Sequence, residues 1–407
     1  MRLLPFLLLI SSPLFSQDDF LKNLMRTRPG QFRKVIDHAR KLEVQIIYTR
    51  IDRDDSNRPH FTRFTFNTDS NRYFYPASTV KFPMVLMALE KLHELGIPAQ
   101  ASMVHDSVWS GHRPVHHDTT AEGGMPSVAH YAKKILVVSD NDAYNRLYEF
   151  VGQKEANDRL AKKGYRLRLL HRLERSSTPA ENRHNEPVAF YQKDSLLHRQ
   201  PMLVNDSIPA GPLVLKGKGY YSGRKLVRKP MDFSYRNFFS LHDQQEILKT
   251  VIFPEAVRPE KRFNLRPEDH RLVLQYMSQL PAETRYPAYY KDSTLYDGWC
   301  KFLMYGEDTT RISPSIRIFN KVGDAYGYTI DNAYIIDFDK GIEFMLSAVI
   351  HSNRDGIFND NKYEYSTVCF PFLRNLGKLI YDYELTRKRD YQPDLSAFRF
   401  GYDLPRR

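Results

Sequence analysis

Apolar residues suggest strands early and late in this chain, with helical spacing between them and at both ends. Residues 18–42 carry a helical pattern that breaks at Arg28-Pro29-Gly30 and resumes through Phe32, Val35 and Ile36. Residues 44–51 and 61–66 are β-branched and aromatic runs on either side of turn formers, which predicts a hairpin. A short aromatic run from Tyr73 reads as a strand leading into a helix that opens near Ser78 and is apolar from Met84 to Leu92. Pro83 fits that start, because proline is tolerated where backbone N–H groups have no helical partner. Residues 106–126 are irregular, and helical spacing returns over 128–138, 142–151 and about 153–163.

Residues 176–240 are rich in turn formers and carry no long periodic segment, so they read as an extended loop region or insertion. Within it, residues 213–229 suggest a hairpin turning at Ser222-Gly223. Ser240 is a helix N-cap candidate, and a further helix is expected over 267–280. Residues 315–321, 333–338 and 342–350 then look like three strands, followed by a closing helix over 365–383. Strands at both ends with helices between imply one sheet assembled from both termini and a helical part inserted in the middle.

Composition adds an address and a bias in partners. With 407 residues and 42% hydrophobic content, the chain can fill one large or two ordinary domains. Arg2, the apolar stretch Leu3 to Ile10 and the Ser-Ser-Pro-Leu-Phe-Ser run before Gln17 fit a signal peptide over residues 1–16, so an exported protein, periplasmic or secreted, is expected. No later run of about 18 apolar residues is present, so no transmembrane segment is expected in the mature form. The formal charge of +12 favours contact with anionic envelope polymers over nucleic acid, for which no motif is present. The 213–229 run, with six basic residues and no acidic one, would be the natural place for it. Cys300 and Cys369 are either one bridge or two buried thiols. His112, His116 and His117 surround Pro114 without a metal-binding pattern, so they read as loop residues and no metal is expected.

The chemistry starts at Ser78 and Lys81, which share a helix face. A serine hydroxyl becomes nucleophilic when a base takes its proton, and a neutral lysine one turn away can do so. The spacing alone is weak, since Ser222 and Lys225 repeat it. It gains meaning from Ser139-Asp140-Asn141 after a helical run and Lys321-Val322-Gly323 at the end of a strand. Together these resemble the S-x-x-K, S-D-N and K-T-G signatures of the serine β-lactamase and penicillin-binding protein superfamily, most closely its class A enzymes.

The resemblance implies an α/β three-layer sandwich, in which an antiparallel sheet built from both ends of the chain packs beside a helical subdomain. It divides the chain into an α/β part at 17–77 and 310–385, a helical part at 78–309 with insertions near 176–240 and 285–315, and a tail at 386–407. It assigns Ser78 as the acylated nucleophile, Lys81 as its proton acceptor and Ser139 as the relay to the departing nitrogen. Asn141 would bind the substrate amide, and Lys321 would hold Ser139 and attract an anionic substrate. The Ser78 and Asp324 backbone N–H groups beside Gly323 would form the oxyanion hole. Glu174, in Arg172-Leu173-Glu174, would activate the deacylating water, with Glu181 and Glu186 as rivals. Val322 departs from the pattern by replacing a hydroxyl that helps bind the substrate carboxylate. The expected protein is therefore a monomeric, cofactor-free serine hydrolase acting on a β-lactam or related amide, a small-molecule or peptidoglycan-related substrate. The alternatives are a penicillin-binding or esterase-like acyl transferase with slow deacylation, and a non-catalytic envelope-binding module.

Overall fold

The computed structural model describes residues 17–109, 113–175 and 177–405; the expected signal peptide and His112 lie outside them. The strand-like segments form a five-stranded antiparallel sheet from β1 (Gln45–Arg53), β2 (Pro59–Phe66), β3 (Ile316–Ala325), β4 (Tyr328–Asp337) and β5 (Ile342–His351). Their order is β3-β4-β5-β1-β2, so the early hairpin joins the late strands where Ile46 faces Ala348.

The larger helices are α1 (Gln17–Arg26), α2 (Pro29–Asp37), α3 (Lys81–Glu94), α4 (Val128–Val138), α5 (Asn141–Val151), α6 (Gln153–Lys162), α7 (Leu241–Ile252), α8 (Pro267–Ser278) and α9 (Phe370–Thr386). Strand alternation sorts the core into two layers. Ile318, Val322, Ala333 and Ile335 pack with Leu21, Phe32, Leu373 and Leu376 from α1, α2 and α9. Phe319, Tyr334 and Ile336 point the other way, into a cluster with Val85, Leu136, Leu147 and Leu248 from α3, α4, α5 and α7. Each fully buried side chain of this size stabilises the fold by roughly 1.5–3 kcal/mol. Gln245 of α7 fixes its layer by hydrogen bonds to Thr49, the Ile47 carbonyl and Ser347.

Several expectations change. Tyr73 to Pro76 is not a strand: it joins no ladder, and the rings of Tyr73 and Tyr75 pack against Phe233, Phe238 and Tyr326. The helix after it opens with a 3₁₀ turn, Ala77–Val80, before α3. Residues 176–240 are not one bare loop. Val188–Gln192 pairs with Ser102–His105 and Ser195–Gln200, and Gly219–Ser222 pairs with Lys225–Val227. Ser222 and Lys225 face each other across that hairpin, which removes them as a Ser-x-x-Lys site. The closing helix begins with a π turn, Tyr365–Cys369. Cys300 and Cys369 are two separate buried thiols. Residues 386–405 return across the fold, burying Leu395 and Phe398 and pairing Asp403 with Lys133 at 2.8 Å. No helix among the described residues is long and apolar enough to cross a membrane.

Candidate active site

Four local structures converge beside β3. The first is the turn that carries Ser78. Ala77 has a φ of 47°, in the left-handed region that a side chain makes costly. Thr79 ties the turn back to the Pro76 carbonyl through its hydroxyl at 2.7 Å and its N–H at 3.1 Å. Gly323 of β3 presses on the same turn so closely that a Cβ there would lie 2.9 Å from both the Pro76 oxygen and the Ser78 nitrogen. Glycine is required at this contact, and it sets the end of β3 against the half-buried Ser78.

The second is Lys81, the first residue of α3, which is fully buried. Its Nζ donates to the Ser139 carbonyl and, at 3.3 Å, to Ser139 Oγ. Among the described residues these bonds run to Ser139 and not to the Ser78 hydroxyl. Burial holds the amine well below the ordinary lysine range, and the Lys321 charge acts in the same direction against the weaker pull of Asp140 and Glu174.

The third is the hinge between α4 and α5. Ser139 ends α4 in the left-handed region, with φ 63°. Asp140 then caps α5 by accepting the Ala143 N–H at 2.7 Å, and Asn141, half-buried, opens that helix. The local need for a C-cap followed at once by an N-cap thus turns Ser139 toward the sheet.

The fourth is Lys321, whose Nζ donates to Ser139 Oγ at 2.7 Å and to the Val322 carbonyl at 2.8 Å. Burial pushes it down to about 8. Lys81 and Lys321 therefore meet at Ser139, and Gly323, two residues beyond Lys321, sets the same strand against the Ser78 turn, with Asn141 at the hinge and Asp324 next on the strand. Asp324 is solvent-exposed, yet the surrounding protein removes enough water to raise its carboxyl above the usual range, with Lys321 and Lys81 acting against that shift.

Val322, which takes the place of a hydroxyl in the motif, belongs to the core. Its side chain is 2% exposed and lies in the apolar layer of α1, α2 and α9. Valine there follows from strand alternation, since the neighbours Lys321 and Gly323 take the other face.

Glu174 is exposed, with φ 55°, on a loop whose shape is set by its neighbours. Arg172 is buried and pairs with Glu149 of α5 through two bonds of 2.8 and 2.9 Å, while also donating to the Glu181 and His184 carbonyls. Asn145 clamps Leu173 by its N–H and its carbonyl, both at 3.0 Å. The rivals have other work. Glu181 forms a capping box with Thr178, and Glu186 is buried and accepts the Val108 and Trp109 N–H groups.

A buried network behind the site is absent from the sequence-based expectations. Lys301 Nζ donates to the Met277 and Ile318 carbonyls at 2.6 and 2.9 Å and to Asn320 Oδ1 at 2.6 Å. Asn320 in turn binds Asp331 at 2.8 Å, and Asp331 accepts the Leu303 N–H at 2.9 Å. The segment around Lys301 thereby covers the outer edge of β3, an edge that would otherwise expose unpaired backbone groups. Alternation along 315–321 places Asn320 on the side opposite Lys321, which was the one signal available. Among the described residues, no cluster of three or more His, Cys, Asp or Glu is arranged to hold a metal.

A sequence profile described as the beta-lactamase enzyme family matches residues 31–383. The chain belongs to the beta-lactamase enzyme family. Similar folds within and around this family include a beta lactamase from Xanthomonas campestris pv. campestris, 14% identical over 90% of this chain and 98% of that one, with a TM-score of 0.46. A mutant of PBP-A, as its acyl-enzyme complex with penicillin G, is 14% identical over 89% of this chain and 96% of that one, with a TM-score of 0.47. A class A beta-lactamase described as that of the last common ancestor of Gram-negative bacteria is 12% identical over 90% of this chain and 99% of that one, also at 0.47. No curated protein sequence matches this chain.

Proposed function

We propose that this beta-lactamase family member is a serine hydrolase that acylates Ser78 and hydrolyses the acyl-enzyme. The observation that carries this is the convergence of Lys81 and Lys321 on the Ser139 hydroxyl. Ser78 Oγ attacks the substrate carbonyl and its proton passes to the Lys81 amine, which burial keeps ready to be neutral. The Ser78 and Asp324 N–H groups receive the negative charge that develops on the carbonyl oxygen.

A hydroxyl accepts two hydrogen bonds and donates one. With both lysines donating to Ser139, its proton is free to turn toward the cleft and pass to the departing nitrogen, to be replaced through the lysines. Asn141 donates to the substrate amide. In the second half-reaction Glu174 takes a proton from water as the water attacks the acyl carbonyl, and the bond to Ser78 Oγ breaks as that oxygen takes up the proton Glu174 gives back, restoring the hydroxyl and the carboxylate.

Glu174 favours a second reading of that last step. Its carboxylate is exposed and has no hydrogen-bond donor among the described residues, so a slow acyl-enzyme, as in a penicillin-binding acyl transferase, is the competing outcome. Nitrocefin separates the two: sustained turnover supports the hydrolase, and a stoichiometric burst supports the slow acyl-enzyme. Export, a peptidoglycan-related substrate and contact of the 213–229 hairpin with anionic envelope polymers complete the proposal, supported by the N-terminal apolar run and the basic charge. Binding to anionic glycan that falls with salt would support the last of these.

A further inference from the structure

A cavity of about 290 Å³ lies against the loop that carries Glu174, walled by the start of α6, the short helix Pro179–Arg183 and residues 232–236. Its size is at the small end of ligand pockets and suits a single sugar-sized ring. Arg183 and Arg236 both line it, and among the described residues neither guanidinium has a carboxylate partner. Arg183 commits only its Nε, to the Asn205 carbonyl at 2.6 Å. The one acid in the wall, Asp232, is exposed and accepts the Ser234 N–H at 2.8 Å. Two buried acceptors of lining residues are left without donors, Gln153 Oε1 and His171 Nε2. The Gln153 amide nitrogen goes instead to the Leu170 carbonyl at 2.7 Å. His171 Nδ1 lies 2.6 Å from the Arg172 carbonyl and so carries the ring proton, while burial pushes the imidazole down to about 4, which leaves Nε2 an acceptor. Tyr235 completes the wall with a ring that is 58% exposed.

We propose that this cavity binds an acidic sugar, a single ring bearing a carboxylate or a phosphate. The anionic group pairs with Arg183 and Arg236, which recognise planar or tetrahedral oxyanions through several N–H groups at once. Ring hydroxyls supply the donors that Gln153 and His171 lack, and the Tyr235 ring offers an apolar face. A bare anion leaves the two acceptors unmet, and a neutral sugar leaves both arginines unpaired. The wall is also built into the loop. Asn182 accepts the Arg172 N–H and donates to the Thr178 carbonyl, both at 3.1 Å. The His171 ring lies parallel to that of Tyr75, 6.2 Å between centroids, three residues before Ser78. Occupancy therefore orders the chain on either side of Glu174 and hastens deacylation, a consequence that rests on Glu174 activating the water.

Calorimetric titration of the full chain with glucuronate, glucose 6-phosphate, glucose and inorganic phosphate tests the site without any turnover. At least one of the two acidic sugars is expected to bind about tenfold or more tightly than glucose or inorganic phosphate, and the tighter of the two identifies the anionic group. Arg236→Gln should weaken that binding at least tenfold, and Tyr235→Ala, at an exposed position, at least threefold. No binding of either acidic sugar, equal binding of glucose or phosphate alone, or an affinity left unchanged by both substitutions overturns the site. A saturating acidic sugar should shorten the lifetime of the nitrocefin-derived Ser78 adduct about fivefold or more in a mass-spectrometric time course, an effect lost in Arg236→Gln. An unchanged lifetime overturns the coupling to the loop. If no adduct forms on Ser78, the acyl-transfer function fails and the coupling with it, while the titration still decides the sugar site.

Discussion

Lys321 Nζ donates to the Ser139 hydroxyl at 2.7 Å, joining a strand near the end of the chain to the hinge between two helices in its middle. If this bond aims the proton relay, Lys321→Met and Ser139→Ala should each slow modification of Ser78 by about 10²–10⁴-fold, the usual worth of a positioned proton-transfer group. The double substitution should cost little more than either alone, because both remove one relay. Stopped-flow or quenched mass spectrometry measures this directly.

The pH profile should be a bell. Lys81 must be neutral to accept the Ser78 proton, and burial holds it well below an ordinary lysine, so the rate rises as pH climbs through its lowered value. Lys321 must stay charged to hold Ser139, and it is pushed down to about 8, so the rate falls above that pH. Lys321→Met should abolish the alkaline limb and keep the acid one.

Glu174→Gln should leave a long-lived acyl-enzyme. Deacylation is expected to slow by about 10²–10⁴-fold relative to acylation, seen as an adduct that persists in a mass-spectrometric time course. An adduct that clears at the wild-type rate would reassign the water-activating role.

The same loop depends on a buried ion pair. Glu149→Ala leaves the Arg172 guanidinium buried without its carboxylate, which should destabilise the protein by about 3–5 kcal/mol in denaturant unfolding. Deacylation should weaken with it, since Arg172 also holds the carbonyls of Glu181 and His184.

Gly323→Ala tests the contact between sheet and nucleophile. Its Cβ would fall 2.9 Å from the Ser78 nitrogen, so the turn or the strand must shift. The expected result is about 1–3 kcal/mol of lost stability and a larger relative loss of Ser78 modification.

What could be read in advance follows from the range of each signal. The two hairpin strands, α4 to α6 and the three late strands announce themselves by periodicity, which needs only neighbours in sequence. Ser139 and Lys321 could be singled out because their residue types recur in a known order. The Tyr73 to Pro76 segment misled because aromatic residues serve a ladder and a packed cluster equally well. Glu149 as partner of Arg172, and Lys301 against Asn320, lie a long way along the chain from what they touch, and no local pattern marks such pairs. Val322 could be noticed as unusual, but its burial against the terminal helices needed the sheet's layers to be known.

The most direct measurement is peptide mapping after exposure to a neutral fluorophosphonate. A single adduct on Ser78, lost in Lys81→Ala, is the predicted result. An unmodified wild-type protein, or an adduct on another residue with Ser78 untouched, would contradict the assignment of Ser78 as the nucleophile.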